Sequence, residues 1–161
     1  ASPDSSPRMP ACAVSISPGA DAVGDTPSRQ ANAASDAMLT PRMIKMATDL
    51  YLAGHDPRDP YVSPIYGDFR GLPPLMLTVS ESEALRDDAY RVAHRARQAG
   101  VAVTLRARWN MPHVWPVFHS MLPEARQDVT EIVGFMRRHL SAPVACTRAV
   151  ARTKLRLAHS G

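Results

Sequence analysis

Two side chains suited to acid–base chemistry follow two neighbouring predicted strands. Glu83 lies in a polar turn after one apolar strand, and His113 lies in the loop after the next. Ligands of open parallel sheets collect beyond the carboxyl ends of the strands, and consecutive parallel strands bring their following loops together. A carboxylate that holds one imidazole nitrogen, while the other accepts a proton, is the orienting half of a hydrolase triad. Glu83 and His113 are therefore the candidate acid and base.

The spacing by itself leaves alternatives open. Glu81, Asp87 and Asp88 compete with Glu83 for the same role, because all four lie in one short stretch. An acidic residue at this place also suits the first turn of a helix, where the helix dipole favours a negative charge. A loop histidine such as His113 is more often bonded to a backbone carbonyl than catalytic.

The remaining histidines and the cysteines predict neither a metal site nor a disulfide. None of the histidines has another histidine or a cysteine at i, i+4, and Cys12 and Cys146 are far apart without a CxxC spacing. We therefore expect no metal site. A reducing compartment is the default, so a cytoplasmic location is expected.

The elements that must position Glu83 and His113 alternate between strand and helix. Apolar runs and period-two alternation predict strands, whereas apolar residues at helical spacing predict helices. Thr40 and Ser82 are the expected caps of the first two helices, and Gly100 ends the second. The predicted strands are 11–17, 74–79 and 101–109; the predicted helices are about 41–53, 82–100 and 123–140, with loops at 18–36 and 56–74. This order predicts an α/β fold with a parallel sheet.

The patterning within these elements predicts their places in the fold. Residues 74–79 are apolar on both faces, which is typical of a central strand, whereas 101–109 alternate in a way that suits a strand near the sheet edge. The expected apolar stripe of the last helix consists of Ala125, Val129, Ile132, Val133, Met136 and Leu140.

Composition and charge predict one soluble domain with no nucleic-acid partner and no membrane span. The chain has 161 residues, of which 45% are apolar and 21% charged. Its net charge of +4 arises entirely in residues 142–161, which contain no acidic and no aromatic residue, so a nucleic-acid interface is not indicated. No uncharged stretch is long enough to span a bilayer.

The motifs around these residues resemble the hormone-sensitive-lipase-like carboxylesterases of the α/β-hydrolase superfamily. The resemblance runs from about Met9 to Leu140. It is carried by Ser17-Pro18 with Asp21, Ser28 through Asp36 to Pro41, Tyr51 to Pro57, Ser63-Pro64, Gly71 to Pro74, Glu83 to Asp88, Gly100-Val101 and Met111-Pro112-His113.

The resemblance implies a role for each of the two candidate residues. The triad acid of this family opens the motif after the penultimate strand, at Glu83 here, and the triad histidine follows a Met-Pro pair, at His113. Two positions depart from the family pattern. Glu83 and Ala84 stand where Asp followed by Pro is more usual, and Asn110 replaces a usual glycine.

The resemblance also implies a domain organisation. Residues 9–141 would form the C-terminal part of an α/β-hydrolase fold, with about three parallel strands, helices on both faces and an incomplete sheet. Residues 30–55 would be a lid-like segment, 1–8 do not match the family, and 142–161 form a basic tail.

The family's nucleophile elbow, G-x-S-x-G, and its Gly-Gly oxyanion run do not occur in this sequence. The eight glycines never adjoin, and no serine has glycine at both required offsets. The resemblance therefore implies carboxylic ester hydrolysis by a serine-hydrolase mechanism, on a small ester substrate and without a cofactor, only when an N-terminal half completes the site.

A second interpretation is a noncatalytic interaction or regulatory remnant of the fold. In either case the incomplete sheet predicts self-association through an exposed strand edge.

Two further expectations concern the site. The ester pocket would be lined by Met111, Trp115 and the lid-like segment, or these residues would simply pack in the core. Asp87 could partly substitute for Glu83.

Overall fold

The computed structural model describes residues 9–141, so residues 1–8 and the basic tail 142–161 lie outside it. Three strands form one parallel sheet in the order β1-β2-β3, with Leu75 facing Ala13 on one side and Val103 on the other. The strands are β1 (Ala13–Ile16), β2 (Leu75–Ser80) and β3 (Val103–Arg108), and the helices are α1 (Pro27–Ala31), α2 (Pro41–Leu52), α3 (Arg86–Gln98) and α4 (Pro123–Leu140).

The sheet has a helix on each face, as the α/β prediction requires. All six residues of β2 are buried, because α3 covers one face of the strand and α4 covers the other. Leu75 and Leu77 pack with Val92, Ala93 and Ala96 of α3, while Met76 packs with Ile132 and Phe135 of α4. The prediction of a strand buried on both faces is confirmed, and β3 lies at an edge of the sheet as expected.

Two local predictions are wrong. The expected loop 18–36 contains α1, and α3 begins at Arg86 with no side-chain cap, so Ser82 does not cap it. The Ser82 hydroxyl instead bonds Asn110 in the loop after β3. By contrast, Thr40 caps α2 as predicted, since its hydroxyl accepts a hydrogen bond from the Met43 N–H at 3.2 Å.

The apolar stripe of α4 is rotated from the predicted one. Phe135, rather than Met136, is buried beside Ile132, and Asp128 is also fully buried. Val133, Met136 and Leu140 are exposed. An apolar stripe covers a wide arc of a helix, and only the neighbouring elements decide which part of that arc enters the core.

No residue of α2 is buried, although its sequence is amphipathic. Met43, Met46 and Tyr51 are exposed and line one wall of an open groove of about 630 Å³. The other lining residues include Gly19, Asp21 and Ala22, which follow β1, and Tyr61, Val62 and Pro64. Helix α2 thus forms a rim over the body of the fold, in the segment predicted to be lid-like.

The outer edge of β1 pairs with no other strand among residues 9–141. The Ala13 N–H bonds the Pro74 carbonyl just before β2 and the Ser17 N–H bonds Thr78 of β2, so the register directs the N–H groups of Val14 and Ile16 away from β2. We expect the isolated chain to self-associate through this edge, because unpaired strand edges are templates for pairing.

Light scattering of the wild-type chain against Val14→Pro tests this prediction. Proline at position 14 removes an edge N–H without removing a bond to β2, so it should lower the average particle mass. A conservative Val14→Ile exchange serves as the control. A monodisperse monomer for the wild-type chain would contradict the prediction.

Candidate active site

Glu83 lies in the turn between β2 and α3 and is completely buried. The turn folds back on the end of β2, since the Glu83 N–H donates to the Ser80 carbonyl and Glu83 Oε1 accepts from the Ser80 N–H, both at 3.2 Å. The second carboxylate oxygen, Oε2, points away from the strand and toward the loop after β3.

His113 lies in that loop, which leaves β3 and leads into a short 3₁₀ helix, Trp115–Phe118. Two serine hydroxyls hold the loop on either side of the imidazole. The Ser82 Oγ accepts the Asn110 N–H at 3.0 Å, and the Ser17 Oγ, at the end of β1, accepts the Val114 N–H at 3.1 Å. The ends of all three strands therefore contribute to the place of His113.

The structure brings the two candidate residues into direct contact. Glu83 Oε2 lies 3.0 Å from His113 Nδ1, and the imidazole is about one-fifth exposed. A carboxylate at this distance favours the tautomer with the proton on Nδ1, which then donates to Glu83. Among residues 9–141, no group hydrogen-bonds Nε2, so the lone pair of Nε2 is available as a proton acceptor.

The three competing acids have other partners. Glu81 accepts a hydrogen bond from the Tyr90 hydroxyl, which raises the pKa of Tyr90 to about 12. Asp87 accepts the Ser28 N–H at 2.8 Å and pairs with Arg86. The Asp87 carboxylate is therefore bonded away from His113, which argues against its substituting for Glu83.

Asp88 belongs to a buried network that holds the segment after β1. Its Oδ2 accepts the N–H groups of Ala20 and Asp21 and pairs with Arg29 at 3.1 Å. Burial raises the pKa of Asp88, and the Arg29 charge and the two N–H donors offset only part of that effect. Asp88 thus has a structural place on α3 away from His113.

Asn110 explains one departure from the expected motif. Its φ is +54°, a left-handed conformation that glycine adopts freely and that asparagine tolerates better than most residues. The Asn110 side chain also accepts a hydrogen bond from the Ser82 hydroxyl at 3.3 Å. The substitution therefore retains the turn and adds a contact to the segment that carries Glu83.

A family model described as the alpha/beta hydrolase fold matches residues 1–117, which is well over half of the chain. The chain belongs to the α/β-hydrolase family. It is 39% identical over 134 residues to an acetyl-hydrolase of Streptomyces hygroscopicus, and the match covers 83% of the chain and 45% of that protein.

Solved structures show the same partial coverage of this α/β-hydrolase. The crystal structure of EstE5 soaked with ethyl alcohol superposes with a TM-score of 0.81 at 40% identity, over 83% of the chain and 45% of EstE5. A hormone-sensitive lipase from a metagenome library superposes with a TM-score of 0.79 at 33% identity, over 81% and 45% of the two chains. The resemblance to part of a hormone-sensitive-lipase-like esterase is confirmed, and the chain spans about 45% of the length of these proteins.

Trp115 does not line a pocket of this hydrolase. It is completely buried, and its indole N–H donates to Asp128 of α4 at 2.8 Å. Asp128 also pairs with Arg106 and Arg108 of β3, so it ties the chain just after His113 to both the sheet and the helix. Of the two interpretations of Trp115, core packing is the one the structure supports.

The groove beside α2 is lined by part of the lid-like segment but not by Met111, Glu83 or His113. Leu85, two residues after Glu83, is the nearest lining residue in sequence. Residues 9–141 contain no group of three metal-ligating side chains, and no described helix has the length and apolar character needed to cross a membrane.

Sequence reasoning found Glu83 and His113 but missed the side chains that hold them. Ser17 appeared only as part of a matching motif, and Ser82 was interpreted as a helix cap. The usable signal for Ser17 was its position at the end of a predicted strand, where a hydroxyl can reach the neighbouring loops. Its φ of +48° directs the chain out of β1 at that point.

Proposed function

We propose that this chain supplies the acid and the base of a carboxylic ester hydrolase with a serine-hydrolase mechanism. The observation that carries the proposal is the 3.0 Å contact between Glu83 Oε2 and His113 Nδ1, with Nε2 bonded to none of the described residues. A buried carboxylate, an oriented imidazole and a proton-accepting nitrogen are the requirements for general base catalysis. The esterase relatives support the choice of substrate class.

The nucleophile in this proposal comes from residues outside the present sequence. His113 Nε2 takes the proton of a serine hydroxyl as the serine oxygen attacks the ester carbonyl carbon. The resulting imidazolium, stabilised by Glu83, protonates the leaving alcohol, and an acyl-enzyme remains. Water then attacks the acyl-enzyme with His113 again as base, which releases the carboxylic acid and regenerates the serine. No cofactor takes part in these steps.

Complementation tests this proposal. The chain is co-expressed with the N-terminal part of a related esterase that carries the nucleophile elbow and the oxyanion donors, and hydrolysis of a short-chain nitrophenyl ester is measured. We expect activity from the assembly and none above background from either part alone, because this chain lacks the elbow.

The noncatalytic interpretation predicts a different outcome. An assembly that forms, as shown by co-purification, but does not hydrolyse the ester would support an interaction role. Hydrolysis by the purified chain alone would contradict the proposal that the nucleophile lies outside this sequence.

A further inference from the structure

The turn that carries Glu83 has few internal contacts. Residues 81–85 join a buried strand to α3, and α3 begins without a side-chain cap. Within the turn, the Glu83 N–H bonds the Ser80 carbonyl and the Arg86 N–H bonds the Glu83 carbonyl, each at 3.2 Å. Most of the peptide groups around Glu83 therefore have no hydrogen-bond partner within the turn. Because buried backbone groups need such partners, other segments must provide them.

The partners come from the segment 28–36, which follows β1 in the chain and covers this turn. Four of its side chains bond backbone groups of residues 81–84. The Ser28 hydroxyl donates to the Ala84 carbonyl at 2.8 Å, Asn32 Nδ2 donates to the Glu81 and Glu83 carbonyls at 2.9 and 2.8 Å, the Ser35 hydroxyl donates to the Ser82 carbonyl at 3.0 Å, and Asp36 Oδ2 accepts the Ala84 N–H at 2.8 Å.

Asn32 occupies the central place in this set. Its single amide nitrogen bonds the carbonyls on both sides of Ser82, one of which is the Glu83 carbonyl itself. The residue is buried, whereas Ser35 is exposed. A primary amide offers two N–H donors from one neutral group, whereas aspartate offers no donor and serine offers one O–H donor.

Helix α1 explains how Asn32 reaches the turn. This five-residue helix begins at Pro27 and ends with Asn32 as its C-terminal cap, whose N–H bonds the Ser28 carbonyl at 2.9 Å. The N-terminal end of the same helix is attached to α3, because Asp87 accepts the Ser28 N–H. Both ends of α1 are therefore tied to the residues that flank Glu83.

We propose that Asn32 is a positioning residue for Glu83, which fixes the peptide groups of the acid turn so that the carboxylate meets His113 Nδ1. The importance of this role for catalysis rests on the proposed ester hydrolysis. The effect of Asn32 on the contact between Glu83 and His113 does not depend on that function. A residue of this kind does not contact the substrate. It orients a catalytic side chain by bonding the backbone that carries it.

The test reads the state of the imidazole rather than activity. The full 161-residue chain is labelled with ¹⁵N-histidine and sedimented, and solid-state NMR measures the ratio of the Nδ1–H to the Nε2–H tautomer at His113 where the ring is neutral. His113→Ala assigns the signal, and Glu83→Gln provides the reference in which the carboxylate is lost.

We expect a dominant Nδ1–H tautomer in the wild-type chain and a fall of about tenfold in the tautomer ratio for Asn32→Ala, the scale of one lost hydrogen bond. Ser63→Ala is the matched control. Ser63 is also completely buried and its hydroxyl bridges two backbone groups, those of Ala22 and Pro57, but it does not contact residues 81–85. Ser63→Ala should keep the wild-type ratio.

Several results would overturn the proposal. These are a wild-type ratio in folded Asn32→Ala, an equal fall in Ser63→Ala, or a wild-type chain without the Nδ1–H tautomer at His113. If Asn32→Ala does not fold, Asn32→Ser retains one donor, and a wild-type ratio in that variant contradicts the role. Failure of the complementation assay alone would overturn the ester hydrolysis but leave this tautomer result standing.

Discussion

Replacing His113 by alanine should reduce kcat of the complemented esterase by a factor on the order of 10⁴ to 10⁶, because the general base of a triad contributes on that scale. In the proposed mechanism the loss belongs to one atom, Nε2, since Nδ1 contacts Glu83 at 3.0 Å. Steady-state hydrolysis of a nitrophenyl ester at saturating substrate measures the effect. KM should change far less than kcat.

Glu83→Gln is the companion change and should reduce kcat by about 10² to 10⁴. The neutral amide cannot replace the carboxylate that holds the proton on Nδ1 and stabilises the imidazolium. Asp87 should not rescue Glu83→Ala, since its carboxylate is bonded to Ser28 and Arg86. His119→Ala is the matched control, because His119 follows the same loop and is exposed. Equal losses for His119→Ala and His113→Ala would contradict the assignment of the base.

Replacing Asp128 by alanine should lower the free energy of unfolding by about 3 kcal/mol, since it leaves the buried Trp115 N–H and two arginines without their shared acceptor. Urea unfolding measures the loss. Glu131→Ala is the matched control: Glu131 pairs with the same Arg106 at 3.0 Å but is exposed, so its removal should cost less than about 1 kcal/mol.

The effect of Asp128→Ala should also depend on pH. Burial alone would raise the pKa of Asp128, but hydrogen bonds from Arg108, Trp115 and Arg106 lower it below its ordinary value. A lowered folded-state pKa stabilises the fold above the unfolded value of about 4, and this contribution disappears as the pH falls through the folded-state pKa. The difference between wild type and Asp128→Ala should therefore shrink in acid. A difference that grows below pH 4 would contradict this assignment.

The order of the three strands and the three longer helices, and the choice of Glu83 and His113 as candidates, follow from the sequence by itself. Local periodicity predicts the central strand β2 and the edge strand β3, because burial on one or two faces leaves a repeating pattern in the chain. Thr40 and Pro41 predict the start of α2 for the same local reason. The positions of Glu83 and His113 after successive strands, together with the family resemblance, made them the candidates.

Only the tertiary structure shows which side chains hold Glu83 and His113 in contact. The Ser17 hydroxyl bonds Val114 across 97 positions of sequence, and Asn32 bonds Glu83 across 51, so no local pattern reports either contact. Helix α1 has five residues, too few to show a helical period, and the rotation of α4 depends on Asp128 meeting Trp115 and two arginines of β3. Periodicity records burial along one element, whereas these features depend on hydrogen bonds between elements, which form only once the chain has folded.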